Sequence, residues 1–144
     1  MAFASASATA RADVAPADYA ALLLRVSTGV LFLIHGGLKL FIFTPAGTVG
    51  FFQSIGLPGP LAYLTIAAEI LGGLALIAGV WTRWVSLALV PVLLGAAWFG
   101  HASAGFMFSN AGGGWEYPAF WAFVMVALAL LGDGAYSLAN RSAR

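Results

Sequence analysis

A single acidic residue lies in the middle of an otherwise apolar stretch of this sequence. Glu69 is the only formal charge in LAYLTIAAEILGGLALIAGVW, the run from Leu61 to Trp81. About 20 apolar residues are enough for a helix to span the hydrocarbon core of a membrane. An unpaired carboxylate at the centre of such a helix costs roughly 2.5 to 3.5 kcal/mol or more. Glu69 therefore needs a compensating partner, which makes it the first candidate for a functional residue.

The preceding apolar stretch carries basic residues that could neutralise this carboxylate. At 100° per residue, one helix face roughly 120° wide holds Arg25, Gly29, Phe32, His35 and Lys39. Such a polar stripe is expected to face the interior of a helix bundle. We predict that Arg25 and His35 both converge on Glu69. Lys39 is expected to extend to the membrane surface, as long basic side chains near helix ends do.

Two further polar residues, His101 and Glu116, are expected close to the outer surface and complete the candidate cluster. The chemistry open to such residues is hydrogen bonding and proton transfer. The alternative is a buried ion pair that only holds helices together. The sequence leaves both roles open.

A quinone head group is the cofactor that this cluster could bind, through hydrogen bonds from His35 and Glu69. Phe32 and Trp98 would then line its pocket. Two histidines could also ligate a haem axially, although no supporting motif accompanies them. The sequence contains no cysteine, which excludes disulfides and thiolate metal sites. We predict no metal site.

Composition defines the elements that must position these residues. Hydrophobic residues make up 62% of the 144 residues and charged residues only 8%, which is typical of an integral membrane protein. Four apolar stretches, at about 19–42, 60–81, 84–103 and 117–136, predict an all-α membrane four-helix bundle in a domain of residues 18–140. Residues 1–17 are expected to form a disordered tail. The basic residues are too scattered for nucleic-acid binding.

Local signals add detail to this bundle. Asp18 is a plausible N-cap of the first helix. The tight link at Thr82 and Arg83 predicts an antiparallel hairpin of the second and third spans. The segment GFFQSIGL, between the first two spans, is expected to form a short interfacial or re-entrant piece. Small residues four apart predict close helix packing at two places, Ala68 with Gly72 and Ala96 with Gly100.

Arginine placement predicts the orientation. Both termini and the hairpin link fall on one side of the predicted bundle, and that side carries Arg11, Arg83, Arg141 and Arg144. The other two loops contain no Lys or Arg. Because cytoplasmic loops are enriched in basic residues, we predict that both termini are cytoplasmic.

The ordered motifs of residues 20–138 resemble the DoxX family of small four-helix membrane proteins. The segments that carry the resemblance are LLLRVSTGVLFLIHGGLKLF, GLPGP, AAEILGGLALIAGVWTR and GDGAYSL. The resemblance implies a bundle in the bacterial inner membrane and a link to membrane oxidoreductase complexes. The family is named by its relation to a subunit associated with quinone-linked thiosulfate oxidation.

These observations favour an accessory subunit of a membrane oxidoreductase complex, with the lipid bilayer and other subunits as partners. Two alternatives remain: a quinone-linked oxidoreductase subunit with its own quinone site, or a small-solute passage. The sequence does not decide whether the chain catalyses a reaction by itself.

Overall fold

The computed structural model describes residues 14–139, and these residues are folded almost entirely as helices. They form five α-helices in chain order: α1 (Pro16–Gly37), α2 (Thr44–Ser54), α3 (Pro60–Ala78), α4 (Thr82–Gly95) and α5 (Glu116–Leu131). α1 continues directly into a π-helical segment, Leu38–Ile42. α4 continues into a second one, Ala96–His101, and then into a 3-10 turn, Ala102–Ala104.

The four long helices form a closed ring. α1 packs against α3 and α5, and α4 packs against the same two helices. Buried apolar side chains from all four helices fill the interior, among them Phe32, Leu76, Leu89 and Met125. Many large apolar side chains also lie exposed on the outside of the ring. An outer surface of this kind is suited to lipid rather than water.

The predicted all-α integral membrane fold is confirmed. Three helical stretches, Pro16–Ile42, Pro60–Ala78 and Thr82–Ala104, are long and apolar enough to cross a membrane. The fourth predicted span is a shorter apolar helix, Glu116–Leu131. It ends there because Gly132 adopts a left-handed φ of 82°, and the chain that follows folds back onto the bundle.

The two ends of the bundle differ in construction. The Ala135 backbone N–H donates to the Asp18 carbonyl at 3.0 Å, so the start of α1 and the segment after α5 share one end, here called the terminal end. The opposite end, here called the loop end, carries α2 and the loop 102–115. Most of the predicted tail 1–17 lies outside residues 14–139, as do three of the four arginines that carried the orientation argument.

One local prediction about a helix start was wrong, and the segment between the first two spans is mostly helical. Asp18 is not the N-cap of α1, because the helix begins at Pro16 and the Asp18 carboxylate instead accepts the Ala15 N–H at 3.1 Å. The segment predicted as a short interfacial piece lies largely within α2, whose helix begins earlier, at Thr44. The Thr44 hydroxyl accepts the Gly47 N–H at 3.2 Å and so stabilises the first turn.

Small residues bring α3 close to both of its long neighbours. A Cβ added at Gly29 would lie 2.8 Å from the Gly73 carbonyl oxygen, so α1 and α3 approach each other at these glycines. A Cβ at Gly72 would lie 2.9 Å from the Leu89 side chain on α4, which confirms close packing there. The same prediction was wrong for Gly100, where nothing lies within 4 Å. This glycine falls in the π-helical segment, which changes the face that each residue presents.

Candidate functional site

The Glu69 carboxylate is paired with Lys39. The Lys39 Nζ lies 2.8 Å from each Glu69 carboxylate oxygen. The pair is well shielded, with side-chain exposures of 19% for Lys39 and 6% for Glu69. It connects the π-helical segment that continues α1 to the middle of α3. The expectation that Arg25 and His35 converge on Glu69 was wrong, and so was the expectation that Lys39 extends to the surface.

The direction of helical side chains explains the change of partner. A side chain on a helix points back toward the N-terminus of that helix. Lys39 therefore reaches down along α1 from the loop end toward the level of Glu69. Gly36 leaves room for the pair, since a Cβ there would lie 3.3 Å from the Glu69 Cβ and 2.7 Å from the Ile70 side chain.

Next to the ion pair, His35 and Trp121 lie side by side. Their ring centroids are 5.5 Å apart, and the Trp121 ring also packs 4.5 Å from the Phe32 ring. Trp121 is only 6% exposed, and its indole Nε1 has no hydrogen-bond partner among the described residues. His35 is half-buried, and within residues 14–139 its ring makes no hydrogen bond. It lies within electrostatic range of Lys39 and His101. A donor and an imidazole are therefore free beside the pair.

Trp98 does not line this part of the bundle. It was expected there together with Phe32, but Trp98 is 73% exposed on the outside whereas Phe32 is buried. Trp98 lies in the π-helical segment after α4. The 3.6-residue period of an α-helix does not predict which way a side chain faces there. The aromatic neighbour that the sequence analysis missed is Trp121.

His101 and Glu116 shape the loop between α4 and α5. The His101 Nδ1 lies 2.8 Å from the Gly113 carbonyl and 3.3 Å from that of Gly112. Since a carbonyl only accepts, Nδ1 is the donor in these contacts. One Glu116 carboxylate oxygen accepts the Phe108 N–H at 2.7 Å. Glu116, the first residue of α5, thus holds the loop to the start of this helix and has no bond to the ion pair.

Arg25 lies at the terminal end and binds carbonyl oxygens. Its guanidinium donates to Leu76 at 3.2 Å, Ile77 at 2.6 Å and Ala135 at 2.7 Å, and the side chain is 1% exposed. The last carbonyls of a helix have no partner within the helix and carry partial negative charge. Arg25 therefore caps α3 and ties it to the segment after α5.

A residue that the sequence analysis missed completes this end. The Asp133 carboxylate accepts the Thr82 N–H, the first of α4, at 3.0 Å. Asp133 is also within electrostatic range of Arg25. The sequence did show this residue as a possible site, because the motif GDGAYSL places an acidic residue between two glycines after an apolar helix. Its partner could not be read from sequence because Thr82 lies 51 positions away.

The structure thus divides the predicted cluster into three parts. Lys39 and Glu69 form a pair with His35 beside them, His101 and Glu116 organise the loop, and Arg25 belongs to the opposite end. Within residues 14–139, no group of three His, Asp or Glu side chains could hold a metal ion.

A ring of apolar helices that encloses the Lys39–Glu69 pair and the buried Arg25 defines a small polytopic membrane protein with charged groups inside its bundle. The family model for DoxX matches residues 20–102. The chain therefore belongs to the DoxX family.

Two relatives show how far the similarity extends. "Putative oxidoreductase CatD" of Bacillus subtilis is 44% identical over 75 residues, which cover 52% of this chain and 54% of that protein. The chain thus spans about half the length of that relative. "Inner membrane protein YphA" of Escherichia coli is 29% identical over 127 residues, 83% of this chain and 88% of that protein. No solved structure matches the chain.

Proposed function

We propose that this chain is an accessory membrane subunit of an oxidoreductase assembly in the bacterial inner membrane, with both termini cytoplasmic. Membership of the DoxX family and the names of the two relatives support the redox link and the location. Arg83 at the terminal end, together with loops 43–59 and 102–115 that lack Lys and Arg, supports the orientation.

One observation carries the accessory role. Both internal charged centres are bonded to the protein's own atoms: Glu69 to Lys39, and the two terminal nitrogens of Arg25 to three carbonyls, while the Arg25 Nε has no partner among the described residues. A buried pair with good geometry fixes the register of the helices that it joins. The bundle is therefore suited to act as a rigid subunit that holds partner proteins at a membrane.

Copurification from native membranes tests this role. The tagged chain is extracted in mild detergent, and its partners are identified by mass spectrometry and assayed for redox cofactors. We expect a cofactor-bearing oxidoreductase subunit in a fixed ratio to the chain. An unrelated polytopic protein with the same tag is the control. Recovery of the chain with the same proteins as the control would contradict the proposal.

A second candidate function, a quinone site in this chain itself, is favoured by the side chains beside the ion pair. A quinone presents a flat ring and two carbonyl oxygens, which only accept hydrogen bonds. The buried Trp121 Nε1–H is an unused donor, and the neighbouring His35 ring is unused as well. A missing partner for a buried donor costs about 1–3 kcal/mol, so a carbonyl oxygen here would be stabilising.

Titration with a short-chain quinone tests the second candidate. Ubiquinone-1 is added to the purified protein, and binding is followed by equilibrium dialysis. Trp121→Phe removes the donor and keeps an aromatic ring, and we expect it to weaken binding about fivefold to tenfold, the value of one hydrogen bond. Trp98→Phe, on the exposed surface, is the matched control. Equal affinity in the two variants would refute this site.

The third possibility, a passage for small solutes, has less support. Arg25, buried at the terminal end, is bonded to two carbonyls of α3 and to the Ala135 carbonyl, and the segment that contains Ala135 packs against the start of α1 at this end. A path along the bundle axis would have to break these contacts.

A further inference from the structure

A groove lies on the outside of the bundle at the loop end. It has a volume of about 550 Å³ and is lined by the start of α5 and the preceding loop. Its walls are mostly aromatic: Phe106, Phe108, Trp115, Tyr117, Phe120 and Phe123. Glu116 is the one charged residue among the lining residues. The volume is within the range of small-molecule sites.

The carboxylate in this groove is only half used. One oxygen accepts the Phe108 N–H, and within residues 14–139 the other makes no hydrogen bond or ion pair. No other Asp, Glu, Lys or Arg occurs in loops 43–59 and 102–115. The positive end of the α5 dipole is equivalent to roughly half a charge and offsets only part of the carboxylate. The groove therefore attracts a cation.

Aromatic faces strengthen this preference. A ring attracts an ammonium ion placed over its face, and several rings around one site recognise alkylammonium ions. Phe106 and Trp115 lie 4.8 Å apart in an edge-to-face arrangement, and Phe108 and Tyr117 lie 5.7 Å apart. All four rings line the same groove as Glu116.

The lining of the groove also changes from charged to apolar along α5. Glu116 is the first residue of α5. At 100° and 1.5 Å per residue, Phe120 and Phe123 fall on the same face of α5, about 6 and 10 Å farther along the helix toward the membrane centre. Both are largely exposed. The groove thus offers a charged, aromatic mouth near the loop end and an apolar track toward the membrane centre.

We propose that this groove binds a membrane lipid with an ammonium headgroup. The ammonium ion lies against Glu116 and the surrounding rings, and an acyl chain follows Phe120 and Phe123. A purely apolar occupant would leave the free carboxylate oxygen without a partner. A soluble cation would leave the apolar track empty. The graded chemistry matches a lipid that carries both parts.

Native mass spectrometry of the full, delipidated chain tests this proposal. The protein is titrated with dioleoylphosphatidylethanolamine or dioleoylphosphatidylglycerol, which have identical acyl chains. We expect about tenfold tighter binding of the ethanolamine lipid. Glu116→Gln keeps an oxygen for the Phe108 N–H but removes the charge, and it should reduce the preference to about threefold or less. Phe120→Leu should weaken binding of both lipids.

The control variant is Phe41→Leu, which changes an aromatic residue that is 80% exposed on the segment after α1. It should bind both lipids like the parent. Equal binding of the two lipids by the parent overturns the proposal even if Glu116→Gln fails to fold. An unchanged preference in folded Glu116→Gln also overturns it. Tetramethylammonium binding as tightly as the lipid, or a dimer lost in Phe120→Leu, would assign the groove to a soluble cation or a second copy instead.

Discussion

Removing one partner of the Lys39–Glu69 pair is expected to destabilise the protein more than removing both. Lys39→Met leaves an unpaired carboxylate that is 6% exposed in the middle of α3. Breaking a buried pair costs about 3–5 kcal/mol, and we expect this variant to lie in that range. Glu69→Leu leaves an ammonium that is 19% exposed near the end of its span. A long lysine side chain can turn toward the interface, so the cost should be lower, about 2–3 kcal/mol.

The double variant Lys39→Met/Glu69→Leu replaces the pair by apolar side chains of similar size. Such a replacement is often neutral, so we expect a stability within about 1 kcal/mol of the parent. The free energy of unfolding of all four proteins is measured by SDS titration followed by circular dichroism, as a double-mutant cycle. A double variant less stable than either single variant would refute the reasoning, as would Lys39→Met with the stability of the parent.

The same cycle separates a structural from a chemical role. If the pair only joins α1 to α3, the double variant should recover folding and any partner-linked activity together. If the pair takes part in proton transfer, folding should recover while activity stays lost.

Three further outcomes are expected. Gly79→Ala should lower the free energy of unfolding by about 2–3 kcal/mol, because Gly79 has a φ of 68° and a Cβ there would lie 2.6 Å from the Ser137 Cβ; Gly50→Ala in α2, with nothing within 4 Å, is the control and should be neutral or slightly stabilising in the same titration. Arg25→Lys keeps the charge but cannot span the same carbonyls, so thermal unfolding followed by circular dichroism should show a loss of about 2–3 kcal/mol; stability equal to the parent would contradict the capping role. Reporter fusions at both termini should give cytoplasmic signals and a fusion near Gly113 the opposite one, and a cytoplasmic signal at Gly113 would contradict the proposed orientation.

Hydropathy and helical periodicity predicted the part of this molecule that depends on local sequence. The stripe on α1 does face the bundle, since Arg25, Gly29 and Phe32 are buried and His35 and Lys39 half-buried. The need of Glu69 for a partner also followed directly from the cost of a charge in an apolar medium.

The identity of that partner could not be obtained in the same way. The sequence analysis chose Arg25 and His35 as partners and left Lys39 at the surface, but a lysine side chain spans more than one helical turn and points backward along its helix. Trp121 was missed for a related reason. Its position near a span end is typical of the aromatic belt, and only the packing of α5 against α1 shows that it faces inward.

The contacts at the terminal end could be identified only from the tertiary structure. The sequence shows Arg25 as a charge in need of compensation, and an acidic partner is the first expectation. The structure instead satisfies it with carbonyls at the end of α3 and after α5. Residue type does not show which backbone carbonyls will accept these bonds, because every residue has a carbonyl.

The bonds of Arg25 also set an order for the folding of the chain during its synthesis. Its carbonyl partner at Ala135 lies 110 residues downstream, so the ribosome releases α1 long before that acceptor exists. The acceptors on α3 come first, at a separation of about half that length. During synthesis, the Arg25 guanidinium is therefore bonded only to α3 at first, and it lies between α1 and α3 in this partly bonded state. The segment after α5 supplies the Ala135 bond, so this part of the bundle is completed only after α5 has been synthesised.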